Sequence, residues 1–223
     1  MEAGGPLLDN LELFNELIAR LDSAGYAEGD IRWAENTKPP ANADEFATET
    51  VFVICNSGMK HTIARKIFDK CMAAIAAGDS CATVFGHQGK AEAMDHIWAK
   101  REELFQGFLA ADDKIEFCQT IPWIGGITRF HLAKNFGAQV AKPDVHLVRV
   151  AERHATNPQE LCERISAASG YKINTVDLIL WRACAVGILD GKTCRLVEHE
   201  APPLAPVNFQ NELFEPVQID LFS

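Results

Sequence analysis

The sequence predicts an all-α protein. Three observations carry that reading. Apolar residues recur at helical spacing in most segments. No segment alternates apolar and polar residues, with strand composition, over more than about five positions. Gly, Pro and Asn fall between the periodic stretches, where helices must stop. The chain has 223 residues, 48% of them hydrophobic, enough to bury a core as one domain or as two lobes.

The elements follow in order. Leu8, Leu11, Leu13, Phe14, Leu17, Ile18 and Leu21 place one apolar face on a first helix within 7–21, with Asp9 or Asn10 available as its cap. Residues 36–43 form a loop around Pro39-Pro40. A second helix covers about 43–55 and breaks at Asn56-Ser-Gly58. A third runs over about 60–77 and stops at Gly78-Asp79. A long amphipathic helix is expected over 90–109, then a short one over 115–120. Ile121-Pro-Trp-Ile-Gly-Gly126 is a turn, and a helix leaves it over 127–136 to end at Gly137. Helices over 145–154, 158–168 and 174–189 complete the body. From Ala201 the composition becomes Pro-rich, then acidic and aromatic, which marks 201–223 as a tail.

No apolar run approaches the length of a membrane-spanning helix. Met1-Glu-Ala-Gly-Gly-Pro6 is acidic and lacks a basic leader, so no secretory signal is expected. Seven scattered cysteines without a CxxC fit free buried thiols in a reducing cytosol, and no zinc site. The formal net charge is −10. Acids are in excess over 1–50 and 151–223, while 51–150 is slightly basic. A nucleic-acid contact would therefore lie in the middle of the chain. It would rest on a few bases, backbone N–H groups and helix N-termini.

Two pieces of that middle carry chemistry. Ile121-Pro-Trp-Ile-Gly-Gly-Ile-Thr-Arg129 reads as a helix end, a tight turn and a helix start. Glycines there let a ligand approach the backbone, and the N–H groups entering the next helix can bind a phosphate. Lys142-Pro-Asp-Val-His-Leu-Val-Arg-Val150 follows, and it places Asp144, nineteen residues after Gly125, at the head of a helix. By itself Asp144 is an ideal N-cap, and by itself Ile-Gly-Gly is a plain turn.

Together these pieces resemble the helix-hairpin-helix DNA glycosylases, the superfamily of endonuclease III, MutY and the 8-oxoguanine glycosylases. Pro143, Asp144, His146, Leu147, Arg149 and Val150 match the segment that follows the hairpin in that family. The resemblance implies a two-lobe helical fold over 1–200 with a DNA cleft between lobes. Lobe A would take about 1–55 plus 155–200 and lobe B about 56–154. It implies a hydrolase acting on the N-glycosidic bond of a flipped-out damaged or modified base. Asp144 would be catalytic, stabilising the oxocarbenium-like sugar and activating water. Trp123, Gly125, Gly126, Thr128 and Lys142 would contact DNA. Trp123 departs from the family, which has a glycine there; it is expected either to pack under the hairpin or to meet a DNA sugar.

Bifunctional relatives carry a Lys just after the hairpin glycine, and this chain has Ile127. A monofunctional enzyme that leaves an abasic site is therefore implied, with Lys60, Lys134 and Lys142 as the alternative amines if strands are cleaved. Four closely spaced cysteines are also lacking, so no iron–sulfur cluster, metal or other cofactor is expected. Ile54 to Ile67 resembles the segment that enters the duplex in 8-oxoguanine glycosylases. Asn56, Met59, Lys60 and His61 are its candidates to fill the gap left by a flipped base, or else form a polar loop. Asp177 and Trp181, one turn apart, are candidates for the base pocket, against a surface or capping role for Asp177 and core packing for Trp181. Gln218-Ile-Asp-Leu-Phe222 resembles the peptide by which bacterial proteins bind the sliding clamp, with Gln218, Leu221 and Phe222 as anchors.

The partners implied are duplex DNA with a modified base and a sliding clamp, for a cytoplasmic, nucleoid-associated monomer without a membrane role. Two other readings stay open at this point. One is an enzyme acting on hypermodified phage DNA bases. The other is a DNA- or clamp-binding scaffold without activity.

Overall fold

The computed structural model describes residues 9–59 and 61–197, and it leaves the side chains of His61 and Thr62 undescribed. The expectations for Lys60, the His61 side chain, Gln218, Leu221 and Phe222 lie outside the described residues. Among those residues the chain forms eleven α-helices, one 3-10 turn and a two-strand ribbon. The expected all-α body is what is observed.

Two compact units divide the chain. One takes the described part of Met1–Thr37 and Gln139–Val217, and the other takes Lys38–Ala138. The first unit is thus discontinuous in sequence. Its breaks fall at 37/38 and 138/139, whereas the sequence reading set them near 55 and 154. Packing explains the difference. Helix α3 (Ala43–Asn56) lies on the helices that follow it, and α9 (Val145–Arg153) lies on α10 (Pro158–Ser169) and α11 (Ile173–Ala185).

In the first unit α1 (Asn10–Ser23) begins where Asp9 accepts from the N–H groups of Leu11 and Glu12. Its buried stripe is Leu13, Phe14, Leu17 and Leu21, the spacing read from sequence. Helix α2 (Ala27–Asn36) has no counterpart in the sequence reading. Its apolar stripe is short and made mostly of small residues, Ala27, Ile31 and Ala34, around the acid Asp30. A tertiary ion pair adds to it: Arg182 Nε lies 2.7 Å from Asp30 Oδ2 and Arg182 Nη2 lies 2.9 Å from Asp30 Oδ1. Both side chains are about 95% buried, at 4% and 5% exposure. Two parallel bonds satisfy much of the buried charge on each group. Glu35 at the end of α2 accepts from the Lys172 N–H and from the Thr175 hydroxyl, tying α2 to the start of α11.

Helix α11 is the axis of this unit, packed by α1, α2, α9 and α10 through Val176, Ile179, Leu180 and Ala183. It ends at Ala185, short of the expected 189. The next residues form the ribbon β1 (Leu189–Asp190) and β2 (Arg195–Leu196), paired antiparallel with Leu189 opposite Leu196. Asp190 makes the turn, accepting from the Lys192 N–H at 2.8 Å and the Thr193 hydroxyl at 2.9 Å. The Lys192 N–H is the main reason its carboxyl is held below the usual range.

In the second unit α3 is central. It packs on α4 (His61–Ala76), α5 (Gln88–Ala99), α6 (Arg101–Ala110) and α8 (Thr128–Asn135). Phe46 of α3 stacks on Phe136 at 5.0 Å between centroids and tilts against Phe105 and Phe108. The expected long helix over 90–109 is two helices that part at Lys100, where ψ is 11°. Arg101 secures the break by donating to the Trp98 carbonyl at 2.8 Å and pairing with Asp44. Helix α7 (Lys114–Thr120) follows, capped by Asp113, and leads into the hairpin.

Candidate active site

The hairpin begins as a tight turn over Ile121-Pro-Trp-Ile124. The Ile124 N–H donates to the Ile121 carbonyl at 3.1 Å, with Pro122 second and Trp123 third at φ 68°. Pro at the second position and positive φ at the third is the type II pattern, which asks for glycine at the third. Here a tryptophan occupies the left-handed region, at a steric cost of about 1–2 kcal/mol. Its ring lies over Gly89, whose built Cβ would be 3.0 Å from it, and meets His87 edge-on at 5.2 Å. A Cβ at position 89 would press on the ring, which would have to give by a few tenths of an ångström. Even so, Trp123 remains 46% exposed. One side of the ring packs on Gly89 and His87 and the rest faces solvent.

Ile121 and Ile124 are buried and pin the turn from beneath. Gly125 and Gly126 are exposed, and a Cβ at either would meet nothing within 4 Å. Among the described residues, the backbone N–H groups of Gly125, Gly126, Ile127 and Thr128 make no backbone hydrogen bond. Four adjacent free donors at the start of α8 are a ready anion site. Arg129 Nη1 turns away from this face to Glu116 and Gln119, which fastens α8 to α7. Ile127 is an apolar side chain that is 52% exposed.

The α3–α4 connector lies in the same unit. Asn56 is half-buried and donates to the Phe52 carbonyl at 2.9 Å, and Met59 is half-buried beside it. Lys90, 5% exposed, supports the connector by donating from Nζ to the Ser57 carbonyl at 2.5 Å. Burial pulls the Lys90 ammonium below its usual range.

Asp144 belongs to the first unit. It caps α9, with φ −81° and ψ 173°, outside the helical region as an N-cap requires. One oxygen, Oδ1, accepts from the His146 N–H at 2.9 Å and the Leu147 N–H at 3.1 Å. The other, Oδ2, makes no hydrogen bond to a described residue. The side chain is half-buried, so it is neither in the closed interior nor fully in water. The capping role read from sequence is present, and it leaves half of the carboxylate uncommitted.

Asp177 is not at the surface. It is 1% exposed on α11, and its Oδ1 accepts the Lys142 N–H at 2.7 Å. Trp181 is half-buried against the first unit's core, with the Arg182 guanidinium 5.2 Å from its ring. The ribbon covers the other side of α9. A Cβ at Gly191 would lie 3.4 Å from Cys184 Sγ and 3.7 Å from the His146 carbonyl. The Cys184 thiol is pushed up to about 12, by burial first and with smaller contributions from the nearby carboxylates Asp144 and Asp190. Asp144 therefore acts electrostatically on Cys184, a neighbour the sequence reading did not single out.

Cys194 Sγ lies 3.4 Å from His154 Nε2. Burial pushes this thiol up to about 11 and pulls the imidazole down, so both are neutral near pH 7. A neutral thiol beside a neutral imidazole is not an activated nucleophile.

The sequence reading also missed Gln159 and the Asp30–Arg182 pair. A signal was present for the pair and for Asp177: acids and a base on the apolar faces of α2 and α11 mark buried polar partners.

No protein-family model matches the chain, and no curated protein matches it either. Among solved structures it is similar to the crystal structure of an 8-oxoguanine DNA glycosylase of Thermotoga maritima. The likeness has a TM-score of 0.50 at 19% identity, over 83% of this chain and 100% of that one. The chain shares its all-α fold with that enzyme, the fold implied by the resemblance at residues 121–150.

Proposed function

We propose that this chain is a monofunctional DNA glycosylase. It hydrolyses the N-glycosidic bond of a flipped-out damaged or modified base and leaves an abasic site. The observation that carries this reading is Asp144: a half-buried carboxylate with Oδ1 fixed by two backbone N–H groups and Oδ2 open.

Cleavage of the bond builds positive charge on the deoxyribose. A carboxylate held in place stabilises that charge without reorganising, and its free oxygen orients or deprotonates the attacking water. The departing base takes its electron pair and a proton from solvent or the pocket. The sugar takes hydroxide, and no covalent enzyme intermediate is required. Ile127 in place of an amine supports hydrolysis without strand cleavage.

The open N–H groups of Gly125 to Thr128 suit a phosphate oxygen, and Trp123 suits the apolar face of an adjoining sugar. Lys142 adds a positive charge two residues before the acid. Asn56 and Met59 occupy a connector of the kind that fills the gap left by a flipped nucleotide, and Lys60 and His61 continue it in sequence. Partners would be duplex DNA and, through Gln218, Leu221 and Phe222, a sliding clamp.

The test is mass spectrometry of bases freed from duplexes bearing oxidised, alkylated and deaminated bases, and from hypermodified phage DNA. Free base, with strands that break only on alkali treatment, is expected from the wild type and not from Asp144→Asn. Release from phage DNA alone would move the substrate to hypermodified bases. DNA binding without release from any duplex would refute the enzymatic reading and leave a scaffold.

A further inference from the structure

Residues 141–144 have no regular secondary structure, yet every backbone donor in them is engaged. The Ala141 N–H donates to Gln159 Oε1 at 2.8 Å. The Lys142 N–H donates to Asp177 Oδ1 at 2.7 Å. Pro143 has no N–H. The Asp144 N–H closes a local turn onto the Lys142 carbonyl at 2.8 Å. Buried N–H groups need partners, but here the partners come from two other helices, α10 and α11.

Each partner is itself fixed. Gln159 Nε2 donates to Glu163 at 2.8 Å, which turns its Oε1 towards Ala141. Asp177 is 1% exposed among Val176, Ile179 and Leu180, where an acid is costly to bury unless it is hydrogen-bonded. The carboxylate gives the stronger, charge-assisted bond to a backbone N–H.

We propose that Asp177 and Gln159 are positioning residues for Asp144: they clamp the loop from which it leaves and so fix its carboxylate. Neither contacts a reacting atom in this assignment. The catalytic part rests on the function proposed above; the clamp itself does not.

The experiment uses the full chain with Asp177→Leu, which is nearly isosteric and lacks an acceptor, Asp177→Asn, which keeps one, and Gln159→Met. Amide hydrogen exchange reads the clamp without any need for activity. Asp177→Leu is expected to speed exchange about tenfold or more at Lys142, and also at His146 and Leu147, whose N–H groups report the Asp144 cap. Amides inside α10 should be unchanged, and Asp177→Asn should restore near wild-type protection. On a duplex that the wild type processes, Asp177→Leu should slow single-turnover base release by about 10- to 100-fold, because a small misplacement is enough. The Kd for that duplex should not change. Gln159→Met, at a half-buried position, should give the same pattern more weakly, and it carries the test if Asp177→Leu does not fold.

Faster exchange at Lys142 with His146 and Leu147 unchanged would overturn the proposal, since the clamp would then not reach Asp144. A weaker Kd with an unchanged single-turnover rate would overturn it too, in favour of direct contact with the base. A wild type that releases no base refutes the proposed function, while the exchange results still decide the clamp.

Discussion

Asp144 should separate into two measurable roles, one for each oxygen. Asp144→Asn keeps an oxygen able to accept from His146 and Leu147, because Asn caps helices about as well as Asp. The variant loses the negative charge at a helix N-terminus, which contributes about 0.3–1 kcal/mol. For a protein of this size a loss of 1 kcal/mol lowers Tm by roughly 2–4 °C. Asp144→Asn should therefore melt within a few degrees of wild type. Asp144→Ala also loses the cap, about 1 kcal/mol more, and should melt lower by a further few degrees. Turnover should divide the variants differently. Removing one preorganised group that stabilises developing charge costs about 2.7–4 kcal/mol, or 100- to 1,000-fold. Both variants should lose at least that much in single-turnover base release, while their Kd for the same duplex stays close to wild type. Calorimetry reads Tm, and quenched single-turnover assays at varied enzyme concentration on one lesion duplex read the rate and Kd. An Asp144→Asn protein that melts with wild type and still releases base would reduce Asp144 to a cap and remove the basis of the proposed chemistry.

Other outcomes follow from separate parts of the molecule. Burial raises Glu49 from 4.5 to about 7, against a lowering hydrogen bond from Asn135 at 2.6 Å. The folded state then holds a proton that the unfolded state has released, so stability falls as pH rises from about 4.5 to 7. Glu49→Gln should raise stability at pH 8 by up to about 3 kcal/mol and change little at pH 4.5; equal effects at both would contradict this. Asp30→Ala leaves Arg182 charged and buried and should cost about 3–5 kcal/mol in urea unfolding, whereas Asp30→Leu with Arg182→Met should recover most of it. Trp123→Gly relieves the left-handed strain but gives up the packing on Gly89, so its Tm should stay within several degrees of wild type. Its Kd for duplex DNA should weaken about tenfold or more if the indole meets a sugar or base; an unchanged Kd would confine the ring to packing. Removing Leu221 and Phe222 should abolish sliding-clamp binding and leave turnover on short oligonucleotides intact; a drop in that turnover would contradict the tail's assignment.

Elements with a wide apolar stripe were legible in the sequence. α1 shows this best, with Leu13, Phe14, Leu17 and Leu21 buried in the expected phase. Asp144 was legible as a cap because capping needs only a short local pattern. Elements built by tertiary partners were not. Helix α2 owes its place to Asp30 and Glu35, whose partners Arg182, Lys172 and Thr175 lie more than a hundred residues away. The parting of α5 from α6 depends on Arg101 reaching Asp44, a contact no window of sequence contains. Asp177 was singled out for its position on the last helix, but its use as an acceptor for Lys142 required the fold to bring them together. Trp123 is the reverse case: the sequence showed the departure from glycine, and the structure shows the backbone kept the glycine's conformation anyway.

The bond between Asp30 and Arg182 spans 152 positions, and the whole of Lys38–Ala138 lies inside that span. During synthesis, α2 emerges long before the guanidinium it needs. The continuous unit has all its own strands of chain at hand by then, so it is free to fold first while the N-terminal helices wait. Closing so long a loop onto an already ordered segment costs less entropy than closing it over a loose one. Assembly in that order would leave an acid and an apolar stripe uncovered for most of translation, a window in which a truncated nascent chain is most open to proteases and to mispairing.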